Sequence, residues 1–205
     1  MKPILVAVGL SALFATSTLS ADRLTVDPAR AEASIKAAFR AAPPDWQSRL
    51  IPDDTLSECS GTDNSPSAAQ FEAIRKREAA KVAYPDDGKL LGDWKKGERL
   101  AQSGYGMRFT DYPPRNPNGG NCYACHQLTR HEVSYGTIGP SLLGYGKARG
   151  TTPEAVKEVY EKIYNPHATF ACSLMPRFGT NKVLTVEQIK DLVALLMDPA
   201  SPVNE

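Results

Sequence analysis

The chain has 205 residues, 41% of them hydrophobic and 23% charged, with a formal net charge of +1. That length allows one domain plus an extension, or two small domains. Near-neutral charge argues against nucleic acid or an anionic membrane as partner, because both select a basic surface.

The first residues read as an export leader. Lys2 gives a short positive start, Ile4 to Phe14 form an almost unbroken apolar run, and Ser17 to Ala21 are mostly small. Cleavage is expected after Ser20 or Ala21, giving a signal peptide over residues 1–21 and a periplasmic protein. The apolar run falls short of the about 20 residues that a permanent membrane-spanning helix needs. Lys2 is the only charge in the leader, so the remainder carries 23 basic and 23 acidic residues.

Residues 22–88 form a predicted N-terminal helical extension. They hold only 12 large apolar residues in 67, which is thin for a self-sufficient core. Asp27-Pro28 has the pattern of an N-cap and first helical residue, and Pro43-Pro44 ends that helix. A second helix is expected from near Pro66 to Val82 with Ser65 as its cap, after loop chemistry from Ser60 to Pro66. Such a segment is expected to lie against something else, either the rest of its own chain or a partner protein.

Residues 89–205 read as a compact helical domain. Leu91, Trp94, Leu100 and Ala101 place apolar groups on a helix that runs to about Gln102, and Gly97 allows a second helix to cross it closely. A Gly- and Pro-rich loop, Ser103 to Asn121, leads straight into Cys122-Tyr123-Ala124-Cys125-His126. Thr152-Pro153-Glu154 starts another helix, with Val156, Val159, Tyr160 and Ile163 at helical spacing until Pro166. Thr185-Val186-Glu187-Gln188 is a capping box, and Ile189, Leu192, Val193 and Leu196 repeat the spacing to Pro199. Nothing alternates convincingly as a strand, so the predicted class is all-α.

The five residues 122–126 carry the chemistry. Two thiols three residues apart, followed at once by an imidazole, match covalent attachment of one heme c in an exported chain. Cys122 and Cys125 would form thioethers with the porphyrin, and His126 would ligate the iron from the proximal side. Positions i, i+3 and i+4 share one face of a helical turn, so all three reach one flat macrocycle.

Met175 is the candidate for the sixth iron position. It sits 49 residues after His126, in Ser173-Leu174-Met175-Pro176-Arg177-Phe178-Gly179, just before the last helix. Thioether sulfur favours ferrous iron and raises the reduction potential relative to a bis-imidazole site. Met107, His131, His167 and Cys172 are the other available donors, with core filling the ordinary role of Met197. For a lone loop histidine the ordinary state is solvated. Pro140, in Gly139-Pro140-Ser141-Leu142-Leu143-Gly144-Tyr145-Gly146, is a candidate to hold the proximal imidazole through its carbonyl; a plain turn explains the run equally well. Two cysteines remain. In an oxidising compartment, Cys59 and Cys172 are either bridged, which would pin the extension to the loop bearing Met175, or unpaired.

The motif, the Gly139–Gly146 run and the Ser173–Gly179 segment together resemble a class I cytochrome c domain. More narrowly, Gly92-Asp93-Trp94-Lys95-Lys96-Gly97-Glu98, Ala101-Gln102-Ser103-Gly104-Tyr105-Gly106 and Gly120-Asn121-Cys122 resemble the SoxX family, the monoheme subunits of SoxAX cytochromes in bacterial sulfur oxidation. The resemblance covers residues 89–205, reaches into Ala80 to Asp87, and is weak before Ser57. It implies a heterodimer with a SoxA-like cytochrome and an L-cysteine S-thiosulfotransferase activity belonging to the complex. Thiosulfate would be joined to a cysteine of a SoxYZ-like carrier protein, with the released electrons passing through this chain to a downstream cytochrome c. On that reading the chain has no catalytic residue of its own.

Three other readings use the same residues. A free-standing cytochrome c shuttle keeps every heme argument. A thiol–disulfide oxidoreductase would present its C-x-x-C at a helix start after a core strand, whereas Tyr112 to Gly120 here is loop, and His126 would be surplus. A structural zinc site wants a second ligand pair at close spacing. Arg130, Lys147, Arg149, Arg177 and Lys182 flank the motif and the methionine loop, either as a docking collar or as dispersed surface charge.

Overall fold

The computed structural model of the chain describes residues 27–43, 50–111 and 115–205; the expected leader, residues 1–21, lies outside them. The described residues form helices and 3-10 turns, with no strand. The helices are α1 (Pro28–Ala38), α2 (Asp54–Gly61), α3 (Ala68–Ala79), α4 (Trp94–Gln102), α5 (Tyr145–Arg149), α6 (Pro153–Tyr164) and α7 (Val186–Met197). The fold is all-α.

The main core is built on α7. Ile189, Val193 and Leu195 are wholly buried there, together with Leu192 and Met197. Val156, Val159, Tyr160 and Ile163 of α6 pack into the same cluster, as the helical spacing predicts. Thr185 and Gln188 close the expected capping box at the start of α7. Leu91, expected on α4, precedes that helix's N-cap Asp93 and is largely exposed.

Helix α4 lies on α7 at backbone contact distance. A Cβ on Gly97 would stand 2.1 Å from the Asp191 carbonyl oxygen and 3.0 Å from the Leu195 Cβ. The crossing is fixed at its upper end by two bonds: the Asp93 amide donates to Asp191 Oδ1 at 2.8 Å, and the Gly92 amide to the Lys190 carbonyl at 3.0 Å. Glycine is used here for the absence of a side chain.

The extension differs from expectation at its second helix. Ser67, and not Ser65, is the N-cap: Ser67 Oγ and the Gln70 side chain exchange bonds with each other's backbone amides. A capping box needs Gln or Glu three residues on, and only Ser67 has one. The helix ends at Ala79, because tight turns from Glu78 to Lys81 and Ala79 to Val82 take over the carbonyls. Helix α2 was absent from the sequence reading. Its Asp53 cap accepts from the Leu56 amide at 3.0 Å, but a helix of 8 residues that buries only Thr55 and Cys59 leaves no periodic stripe.

Helices α2 and α3 lie against the segment that follows α6. Cys59 and Cys172 are joined by a disulfide across 113 residues, and Ile74 is buried with Ala171 and Cys172. Closing a loop of that length contributes about 5 kcal/mol in the chain-entropy picture. Beside the bridge, Glu78 is fully buried. Its carboxylate accepts from Lys81 Nζ at 2.6 Å, Thr55 Oγ1 at 2.7 Å and Asn165 Nδ2 at 2.8 Å, and Arg177 lies 3.7 Å away. Arg177, itself buried, pairs with Asp53 at 2.6 Å. A buried carboxylate survives only with partners of this kind.

Replacing Gly97 with alanine is expected to destabilise the protein. Helix propensity favours alanine by about 1 kcal/mol, but forcing a methyl into backbone contact costs up to about 3 kcal/mol, so a net loss of about 2 kcal/mol should appear in thermal unfolding followed by circular dichroism. The acid response follows from Glu78 and Asp53. Burial pushes the Glu78 carboxyl up, but its bonds to Asn165, Lys81 and Thr55 outweigh burial and hold it below 4.5. For Asp53, burial is likewise outweighed by the Leu56 amide, Arg177 and Lys81, which hold it below 3.8. Both depressed values stabilise the fold above those reference points, and that stability drains as pH falls through the lower native values. Unfolding midpoints should therefore drop below about pH 4, and less steeply in Glu78→Gln.

Candidate heme c site

The motif hangs from the end of α4. The Gly120 amide donates to the Leu100 carbonyl at 2.8 Å and the Asn121 amide to the Ser103 carbonyl at 2.9 Å. Asn121 then adopts a left-handed conformation, φ 47°, which turns the chain into the 3-10 turn Cys122–Ala124. The Cys122 carbonyl accepts from both the Cys125 amide, at 3.1 Å, and the His126 amide, at 2.9 Å. Within the turn Tyr123 faces the core, 7% exposed, and its hydroxyl meets Thr129 Oγ1 at 3.3 Å. Cys122, Cys125 and His126 are half-buried.

Segment 136–142 runs back along the motif and pairs with it. Amides of Gly136, Gly139 and Leu142 donate to the carbonyls of Tyr123, Cys125 and Gln127 at 2.7–2.8 Å. This pairing carries Pro140 to the imidazole: His126 Nδ1 lies 2.8 Å from the Pro140 carbonyl oxygen. A carbonyl can only accept, so the proton sits on Nδ1 and the Nε2 lone pair is left for a metal. Gly139 is the residue that sequence reading did not single out. A Cβ there would stand 2.2 Å from His126 Cε1, so the ring packs flat on the glycine backbone. Its only sequence signal was its place before Pro140.

The other candidate donors separate clearly. Met175 is half-buried against the main core, as is Met107, while Met197 is 1% exposed inside it. The Met175 amide donates to Ser173 Oγ at 3.2 Å, which tightens the loop. His131 is exposed and meets Glu205 at 3.1 Å. His167 is not solvated: it is 2% exposed, its Nδ1 has no partner among the described residues, and burial followed by the nearby Arg177 charge lowers its pKa. Cys172 is consumed by the disulfide with Cys59. Arg177 leaves the cationic collar, since it is buried in ion pairs with Asp53 and Glu78. Arg130, Lys147, Arg149 and Lys182 stay exposed.

The residues present fit heme c by the chemistry of the donor set. Two free thiols and one oriented imidazole share a single turn. Burial pushes the Cys122 thiol up to about 12. A redox-active C-x-x-C is served by the opposite, a stabilised thiolate. A thioether carries no charge and suits a buried sulfur. Ile138 and Leu174, beside Gly139 and Met175, are 76% and 77% exposed, apolar side chains that suit a flat apolar ligand.

An all-helical frame with this donor set fits covalent heme attachment of the cytochrome c kind. Residues 118–198 match the Cytochrome c family, and the chain carries a cytochrome c domain. An "Uncharacterized lipoprotein" of Aquifex aeolicus (strain VF5) is 42% identical over 141 residues. The match covers 69% of this chain and 66% of the relative, so the chain spans just under two thirds of that protein's length.

Gly139→Ala is expected to push the imidazole off the Pro140 carbonyl. The yield of heme-loaded protein should fall several-fold, as metal sites lose about 10- to 100-fold when an orienting partner is removed. Absorbance of the purified chain per mole of polypeptide measures it.

Proposed function

We propose that this chain is a monoheme c-type electron carrier that works as a subunit of a SoxAX-type thiosulfate-oxidising cytochrome. The observation that carries the electron-transfer part is the single turn holding Cys122, Cys125 and a His126 whose Nδ1 is committed to Pro140. When bound, heme c supplies a one-electron couple whose potential is raised by a thioether ligand. Cys122 and Cys125 would anchor it, His126 and Met175 would bind the iron, and Pro140 would hold the imidazole plane. With His126 and Met175 both given to the iron, the group would serve electron relay, and the S-thiosulfotransferase chemistry would belong to the complex.

The narrower assignment is supported by the runs Gly92–Glu98, Ala101–Gly106 and Gly120–Cys122, which resemble SoxX. The structure gives those runs work to do: the first two make α4 and its end, and the third suspends the motif from it. The partners on this reading are a SoxA-like cytochrome, a SoxYZ-like carrier met through the complex, and a downstream cytochrome c. Export to the periplasm is supported by the leader pattern and by the relative's description as a lipoprotein. Among the described residues no helix is long and apolar enough to cross a membrane.

A pyridine hemochrome spectrum of the denatured mature protein should show one heme c per chain that acidified organic solvent does not extract. In the native ferric protein, Met175→Ala should abolish the red-region band of iron–thioether ligation and lower the midpoint potential by on the order of 100 mV. Purification from the native source should bring down a second heme protein. A chain that arrives alone, with heme intact, is a free-standing shuttle instead.

A further inference from the structure

We propose that the N-terminal extension, through residues 53–78, is a clamp that positions Met175. The inference rests on the reading that Met175 is the second axial ligand, and it assigns the extension a role in electron transfer.

The loop between α6 and α7 holds its own shape only by short-range turns, such as Phe170 N–H to the Pro166 carbonyl and Met175 N–H to Ser173 Oγ. From Asn165 to Phe178 it contains one 3-10 turn, Pro166–Ala168, and Cys172 sits in the left-handed region at φ 59°. Besides the packing of Met175 and Phe178 on the main core, three ties hold it from the extension. At its start, Asn165 donates to the backbone carbonyl and the carboxylate of buried Glu78, at 3.2 and 2.8 Å. Three residues before Met175, Cys172 is bridged to Cys59. Two residues after Met175, the buried Arg177 guanidinium is held at 2.6 Å by Asp53. Phe170 adds an edge-on contact with Phe71, centroids 5.7 Å apart.

The ties flank Met175 on both sides and none touches its side chain. A thioether is a weak ligand, so the population of bound sulfur depends on how seldom the loop opens. A covalent bridge on one side and an ion pair anchored by the buried Arg177 on the other keep that opening rare. The sequence offers no reason of its own for an extension with so thin a core; holding this loop is a reason.

The test uses the full-length mature holoprotein and the rate at which added imidazole replaces the sixth ligand of the ferric form. Three variants are compared with the wild type: Met175→Ala, the pair Cys59→Ser with Cys172→Ser, and Asp53→Asn. Asparagine caps a helix as well as aspartate does, so the last variant keeps α2 and removes only the charge facing Arg177 and, more distantly, Lys81. Expected results are an imidazole rate roughly tenfold higher in the cysteine pair and roughly twofold higher in Asp53→Asn, each with a weakened red-region band, unchanged hemochrome and unchanged helical circular dichroism. A loss of helicity in the cysteine pair shifts the decision to Asp53→Asn alone. Wild-type rates and band in a folded cysteine pair, or in Asp53→Asn when the pair does not fold, overturn the clamp while leaving the ligand assignment intact. A red band that persists in Met175→Ala overturns both.

Discussion

Backbone contact between α4 and α7 at Gly97 is the constraint on which the site depends. The two helices meet with the Asp191 carbonyl where a Gly97 side chain would be, and two bonds from Gly92 and Asp93 lock the register. The motif has no helix of its own beyond a single 3-10 turn; it is suspended from the last carbonyls of α4. Any change in how α4 lies on α7 is therefore carried directly to Cys122, Cys125 and His126. A buried apolar α7 supplies the energy, and a glycine on α4 supplies the approach.

From that anchor the proximal side is assembled by backbone pairing. Segment 136–142 bonds to alternate carbonyls of 123–127, and the same pairing delivers the Pro140 carbonyl to Nδ1 and the Gly139 backbone to the ring face. Orientation of the imidazole thus rests on main chain, which has few rotamers to lose. The Met175 side is organised differently. Its loop is held by side chains and a disulfide reaching in from α2 and α3, with the buried Glu78 and Arg177 and the half-exposed Asp53 paired at the junction.

The sequence was most legible where a pattern is local. Thr152 and Thr185 marked the starts of α6 and α7, and Pro166 and Pro199 their limits, because caps and prolines act within a few residues. The apolar spacing of both helices fixed their buried faces. It is least legible where short helices bury little: α2 leaves no apolar stripe, and Ser65 offers the same capping side chain as Ser67, two residues later. His167 and Arg177 show the same limit in another form. A lone loop histidine and a loop arginine look solvated in sequence, yet both are buried, because partners 87 to 124 residues away in the chain lie against that loop.

By itself the sequence determined the all-α class, the two long apolar helices and the chemistry of Cys122-Tyr123-Ala124-Cys125-His126, since spacing and residue type within five positions suffice for each. It also raised the pairing of Cys59 with Cys172 without deciding it. Only the tertiary structure decided that Gly139 faces the imidazole, that the Pro140 carbonyl accepts from Nδ1–H, and that Arg177 is an internal ion pair and no docking charge. Those facts depend on which distant segments share a surface, and packing sets that, not local periodicity.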